Sequence, residues 1–127
     1  MSERTGRGPA AEFKMVLVLR GELRLSAGKA AVQAAHAAVM LVTQAEEHHA
    51  PGLRAWFAQG QKKIAVVAPT LEDLTQLERK ARAHGIPTVW VEDAGLTEVP
   101  PGTRTCLGLG PSAVGDIDPV TRHLPLL

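Results

Sequence analysis

Apolar positions along the chain follow two different periods, and their alternation predicts strands and helices in turn. Lys14 to Arg20 (KMVLVLR) is apolar at every inner position, the pattern of a central strand buried on both faces. A turn over residues 21–25 follows. Ser26 then stands as an N-cap before a long Ala-rich helix from about Ala27 to His48. Pro51 suits the first turn of a short helix through Phe57, closed by Gly60. Lys63 to Ala68 (KIAVVA) reads as a second strand. Thr70 caps a third helix, Leu71 to Ala83, with Asp73 in the capping-box position. Leu71, Leu74, Leu77 and Ala81 recur there at helical spacing and mark its core face, and Gly85 stops it. Pro87 to Glu92 is a third strand, 93–103 a loop rich in Gly, Pro and Thr, and Arg104 to Leu109 a fourth strand ended by Gly110-Pro111. The tail from Ser112 should hold one short helix and an extended end.

The order β-α-α-β-α-β-β predicts a single three-layer α/β domain: a four-stranded sheet flanked by helices. Strands separated by helices should run parallel through right-handed crossovers. The last strand follows its neighbour through a loop without a helix, so an antiparallel direction, and hence a mixed sheet, is expected.

A length of 127 residues fits one domain. Residues 1–12 are polar and contain Gly and Pro, so they read as a disordered leader, with the domain over residues 13–127. The 45% apolar content suffices for a core, but only Phe13, Trp56, Phe57 and Trp90 are aromatic. Val, Leu, Ile and Ala must therefore fill it, and a base-stacking platform is disfavoured. The net charge of +1 excludes a general nucleic-acid coat. Any RNA contact must be local, from Arg20, Arg24 and Lys29 or from Lys62 and Lys63. Cys106, the sole cysteine, lies in an apolar run and reads as a small core residue. With no apolar stretch long enough to cross a membrane, these features suggest a soluble protein of a reducing cytoplasm.

Candidate chemistry begins on the Ala-rich helix. From Ala30 to Val42 its only strongly polar residues are Gln33 and His36, which with Lys29 fall at i, i+4 and i+7, one stripe of a helix. Burying a lone Lys is costly, so the stripe must face water, a partner or a cleft. Lys29 also lies in the first turn, where the helix dipole disfavours a cation and favours an anion. A stripe that is merely solvated is the plain alternative, and His36 alone could be a core histidine. The second candidate is the loop Asp93-Ala94-Gly95-Leu96-Thr97-Glu98, because ligands of open α/β sheets bind beyond the carboxyl ends of strands. Gly95 allows a tight turn, and Thr97 could set a hydroxyl beside the acid; ordinary turn chemistry is the alternative. Other groupings carry less. Gly21 to Lys29 fails as a phosphate loop, with Leu23 in place of the first glycine and Ala30 in place of Ser/Thr. Glu46, Glu47, His48 and His49 diverge around a helix end and make a poor metal site. No Ser stands in a nucleophile elbow.

These blocks, in this order and spacing, resemble the type II peptidyl-tRNA hydrolases. The resemblance rests on KMVLVLR with GELRLSAGKAAVQAAHAA, then GQKKIAVVA, DAGLTEVPPGTRTCLGLGP and DIDPVTRHLPL, from Lys14 to the C-terminus. It implies a mixed four-stranded sheet flanked by helices, often as a homodimer, and hydrolysis of the ester joining a peptide to the 3′ ribose of tRNA without metal or organic cofactor. Catalytic roles would fall on Lys29, Asp93 and Thr97. Gln33, His36, Gly95, Thr105 and Arg24 would serve in binding the acceptor end of peptidyl-tRNA. As a general base, Asp93 would need burial to raise its pKa. Ala27 and Leu96 replace basic residues usual in that family, as Arg122 replaces Gly and Pro125 replaces Lys, so a diverged, non-catalytic tRNA- or protein-binding relative is the alternative.

Overall fold

A computed structural model describes residues 11–95 and 98–127. Its elements are β1 (Phe13–Arg20), a 3-10 turn (Gly21–Leu23), α1 (Ala27–Glu47), α2 (Leu53–Ala58), β2 (Lys63–Ala68), α3 (Leu71–Ala83), β3 (Thr88–Glu92), β4 (Arg104–Ala113) and α4 (Val114–Thr121). The four strands form one sheet in the order β2-β1-β4-β3. β1 and β2 are parallel, and β4 is antiparallel to both β1 and β3. The sheet is mixed, as expected.

The apolar run of β1 is explained by burial on two sides. Met15, Leu17 and Leu19 pack under α1 and α2 with Ala37, Leu41, Ala45 and Trp56. Val16 and Val18 point to the other face, where α3 and α4 contribute Leu74, Leu77, Ala81, Ile117 and Val120. The period-2 alternation of a strand thus feeds both cores of a three-layer domain. Leu74, Leu77 and Ala81 are buried as the helical spacing requires, while Leu71 is only partly covered.

Caps set the helix starts. Ser26 Oγ accepts the Lys29 amide at 3.2 Å. Thr70 and Asp73 exchange hydrogen bonds in a full capping box. The Ala content of α1 lets it lie close on the sheet, and Gly108 completes that fit. A Cβ there would stand 2.9 Å from Leu41 Cδ1 and 3.2 Å from Ala37 Cβ.

One feature departs from the sequence expectation. β4 continues past Gly110-Pro111 to Ala113, because the register shifts between Lys14 and Val16. A bulge of that kind seats a proline, which has no N–H to donate to the ladder. β4 lies inside the sheet, between β1 and β3, and it is buried from Thr105 to Ala113. The tail does hold a short helix and an extended end. The latter covers the outer edge of β2, with Val67 N donating to Pro125 O and Leu127 N to Ala65 O, both at 3.0 Å. At the amino end, Gln59 Nε2 donates to Ala11 O and Lys62 pairs with Glu12.

The topology brings the start of α1, the carboxyl end of β3 and the start of β4 to one end of the molecule. The Arg20 guanidinium marks that end by donating to Arg104 O at 3.2 Å. Lys63 pairs in register with Met15 near the start of β1, so Lys62 and Lys63 occupy the opposite end. Of the two basic patches expected, only Arg20, Arg24 and Lys29 lie near the candidate site.

Candidate active site

Lys29 stands in the first turn of α1, and its side chain is 12% exposed. Asp93 follows β3 directly, with its side chain only 3% exposed. The two meet: Lys29 Nζ donates to Asp93 Oδ1. They are 64 positions apart in sequence. A lysine on an otherwise apolar helix and an acid after a strand thus neutralise one another in a largely water-excluded place.

The Asp93 turn is fixed by backbone bonds. Asp93 N donates to Thr103 O and Gly102 N donates to Asp93 O, each at 2.8 Å, closing the loop at its base. Gly95 N donates to Asp93 Oδ2 at 2.5 Å. Gly95 has φ 82°, and a Cβ there would stand 2.4 Å from Pro101 Cγ. Both the left-handed backbone and the contact with Pro101 require glycine.

A general base at Asp93 would need a raised pKa, and the geometry gives the opposite. The Lys29 hydrogen bond, and then the Gly95 amide, hold the carboxyl below its ordinary value of 3.8 against the opposing effect of burial. Glu98 is held below 4.5 by the Ser26 hydroxyl and amide. Glu22 is lowered likewise by Arg20 and the Leu71 amide. Each carboxyl binds protons less readily folded than unfolded. Their contribution to stability is therefore present above the unfolded values, 4.5 for the two glutamates and 3.8 for Asp93, and is lost as pH falls below each toward the folded value. Thermal melts should show a steady Tm between pH 7 and 5 and a falling Tm from pH 4.5 downwards. A Tm unchanged down to pH 3 would contradict the assigned bonds.

Gln33 and Thr105 lie below the ion pair. The Thr105 hydroxyl donates to Gln33 Oε1, and both residues are buried. They tie α1 to β4 and satisfy each other, so a stripe that is simply solvated does not describe Gln33. His36 is exposed and lines a groove of about 550 Å³ with Val39, Met40, Trp90, Val91 and Glu92. That groove ends one residue short of Asp93. A larger cavity of about 760 Å³ lies between the far end of α1 and α2, around Ala45, His49 and Arg54. Sixteen helical residues separate Ala45 from Lys29, about 24 Å, so that cavity is remote from the ion pair.

Arg24 is exposed, with φ 50° just after the 3-10 turn. Arg20 is committed to Glu22 at 2.6 Å and Lys29 to Asp93, which narrows the patch available to an anion. Thr97, expected beside Asp93, and Leu96 fall outside the described residues. The Cys106 thiol is pushed up to about 12 by burial, so the residue packs and is no nucleophile at neutral pH. Among the described residues no three His, Cys, Asp or Glu side chains cluster as metal ligands. No helix among them is long and apolar enough to cross a membrane.

Sequence reasoning missed the bond between Ser26 and Glu98. Ser26 N donates to Glu98 Oε1 at 3.0 Å and Ser26 Oγ to Oε2 at 2.5 Å. The only signal was an acid in the same loop as Asp93, which looks like any solvated glutamate. The chain's own carboxylate thus stands at the N-cap of α1, on the Ser26 amide and hydroxyl.

Residues 13–127 match the family described as Peptidyl-tRNA hydrolase PTH2. The chain is similar to the peptidyl-tRNA hydrolase of Thermococcus onnurineus, 46% identical over 115 residues, covering 91% of this chain and 98% of that protein. It is 47% identical to that of Methanopyrus kandleri with the same coverage. It is 40% identical over 125 residues to the human protein named peptidyl-tRNA hydrolase 2, mitochondrial, covering 98% of this chain and 70% of that one.

Proposed function

The chain belongs to the peptidyl-tRNA hydrolase PTH2 family, and from that premise we propose how its site works. The protein is a hydrolase acting on the ester that joins a peptide, or an N-blocked amino acid, to the 3′ ribose of tRNA. The observation that carries the site assignment is the pairing of Lys29 with the buried Asp93, the residue that follows Glu92 at the end of a groove.

An activated ester needs a positioned water and stabilisation of the oxyanion more than it needs a strong base. Asp93 is a weak base while Lys29 holds its pKa down. A carboxylate has about four acceptor sites, and Lys29 and Gly95 use two of them. The remaining lone pairs accept a hydrogen of the attacking water and aim its oxygen at the carbonyl carbon. The Lys29 ammonium stabilises negative charge as it develops on the carbonyl oxygen. The bond to the ribose 3′ oxygen then breaks, and a proton from the water completes the 3′ hydroxyl. Gln33 and Thr105 keep α1 and β4 in register beneath this pair. Thr97 is assigned a part in the reaction through its hydroxyl, while His36 and Arg24 line the approach of the acceptor end.

The finer reading includes a homodimer, supported by the exposed Val32, Val39 and Met40 on one side of α1. It also places the protein in the cytoplasm, where a single buried cysteine stays reduced.

The test is turnover of N-acetyl-aminoacyl-tRNA by the purified chain. Multiple turnovers without added cofactor are expected, slowed roughly 10²-fold or more by Asp93→Asn. A chain that binds this tRNA but releases no N-acetyl amino acid is a binding protein, and the reading falls.

A further inference from the structure

We infer that Glu98 is a positioning residue for the hydrolysis, the clamp that holds the Asp93 loop against the first turn of α1. This rests on the reading above. Among the described residues two ties run from the loop to α1: the Asp93 carboxylate to the Lys29 ammonium, and the Glu98 carboxylate to Ser26. The first brings together the two groups assigned to the reaction. The second lies where the loop returns toward β4 and grips the residue that caps the helix.

The grip is two-pronged. Glu98 accepts the Ser26 amide at 3.0 Å on one oxygen and the Ser26 hydroxyl at 2.5 Å on the other. A serine hydroxyl has one hydrogen to give. Once that hydrogen is spent on Glu98, the hydroxyl oxygen faces the helix with its lone pairs, and it accepts the Lys29 amide at 3.2 Å. Glu98 therefore fixes the cap of the residue whose ammonium meets Asp93. The same carboxylate supplies negative charge at the helix start, which both the dipole of α1 and the Lys29 ammonium favour. Among the described residues the loop's other bonds are internal to it, such as Gly95 to Asp93, Gly102 to Asp93, and the Thr103 hydroxyl to Pro100 O at 2.7 Å. They shape the loop without fixing its distance from α1.

A clamp predicts a pattern that general stabilisation does not. Glu98→Ala removes both contacts. Glu98→Gln keeps an acceptor for the Ser26 amide and turns its NH2 to the Ser26 oxygen, which has lone pairs for it and for the Lys29 amide. With N-acetyl-aminoacyl-tRNA as substrate, Glu98→Ala should lower kcat about tenfold or more with KM within about twofold, while Glu98→Gln stays within about threefold of wild type. Amide hydrogen exchange at Gly95 and Gly102, followed without substrate, should quicken roughly tenfold in Glu98→Ala and stay near wild type in Glu98→Gln. Glu98→Ala with wild-type kcat overturns the clamp, whatever its exchange rates, and so does a Glu98→Gln variant as slow as Glu98→Ala. Failure of the wild-type chain to turn over this substrate is a separate result: it removes the hydrolase reading, and the exchange arm still reports whether Glu98 holds the loop.

Discussion

Lys29→Ala is expected to lower kcat/KM on N-acetyl-aminoacyl-tRNA by about 10²- to 10³-fold, the usual cost of losing one oxyanion donor. The substitution removes the ammonium that the proposed mechanism sets against the developing charge. It also removes the largest influence that holds the Asp93 carboxyl low, leaving burial opposed by the Gly95 amide. The Asp93 pKa should therefore rise, and the acid limb of the kcat/KM profile, which reports the free enzyme, should move to higher pH. A loss of rate with an unmoved acid limb would mean that Lys29 and Asp93 do not sense each other in solution. Unchanged rate would remove Lys29 from the site. Lys29→Arg is a poor substitute, because a planar guanidinium does not reproduce a compact ammonium in a half-buried position.

Gly95→Ala comes next in size. The substitution meets two obstacles at once: φ 82° is strained for any residue with a side chain, and the new Cβ would stand 2.6 Å from Pro101 N and 2.7 Å from Pro101 Cα. Those are backbone atoms of a ring-locked residue, so the turn must move rather than the neighbour. Once it moves, Gly95 N leaves Asp93 Oδ2, and the carboxylate loses the bond that sets its second oxygen. Misplacement of about 1 Å at a reacting group costs about 10²-fold, and a fall of that order in kcat is expected. The cores above and below the sheet are untouched, so Tm should move by only about 5 °C. Gly85→Ala is the control. It has φ 71° at the end of α3 with open space around its Cβ, so it tests backbone strain without the collision. Full activity in Gly95→Ala would show that the Asp93 turn is not held as described.

The elements of this fold were legible where burial leaves a period or a cap leaves a residue type. β1 reads as a strand because both its faces are covered, and α1 and α3 begin at Ser26 and Thr70 because open helix amides need an acceptor. β4 was harder to read. Gly108, Gly110, Pro111 and Ser112 look like the frayed end of a strand, yet they are buried. Gly108 is small because α1 lies on it, and the chain around Pro111 stays in the sheet because a bulge accepts a residue without N–H. Strand order was not readable at all, since nothing local tells β4 to insert between β1 and β3.

In the site, Lys29 and Asp93 were conspicuous as polar residues where the local pattern is apolar or ends. The resemblance implied that the two share one site, but the electrical consequence of their meeting was not readable, because desolvation depends on one residue and the compensating charge comes from another 64 positions away. Gln33 was visible on the same stripe, but its bond to Thr105 turns a cleft-facing candidate into a buried tie. Ser26 was legible as a cap and Glu98 not at all.

The central claim is that Lys29 and Asp93 act as one unit, and a double-mutant cycle on kcat/KM measures this directly. Lys29→Ala, Asp93→Ala and the double variant are compared with wild type in single-turnover cleavage of N-acetyl-aminoacyl-tRNA. Residues that act as a unit are strongly non-additive, so the double variant should be about as slow as the slower single variant. A double variant slowed by the product of the two single effects would mean that the residues work independently, and the ion pair would lose its place in the mechanism.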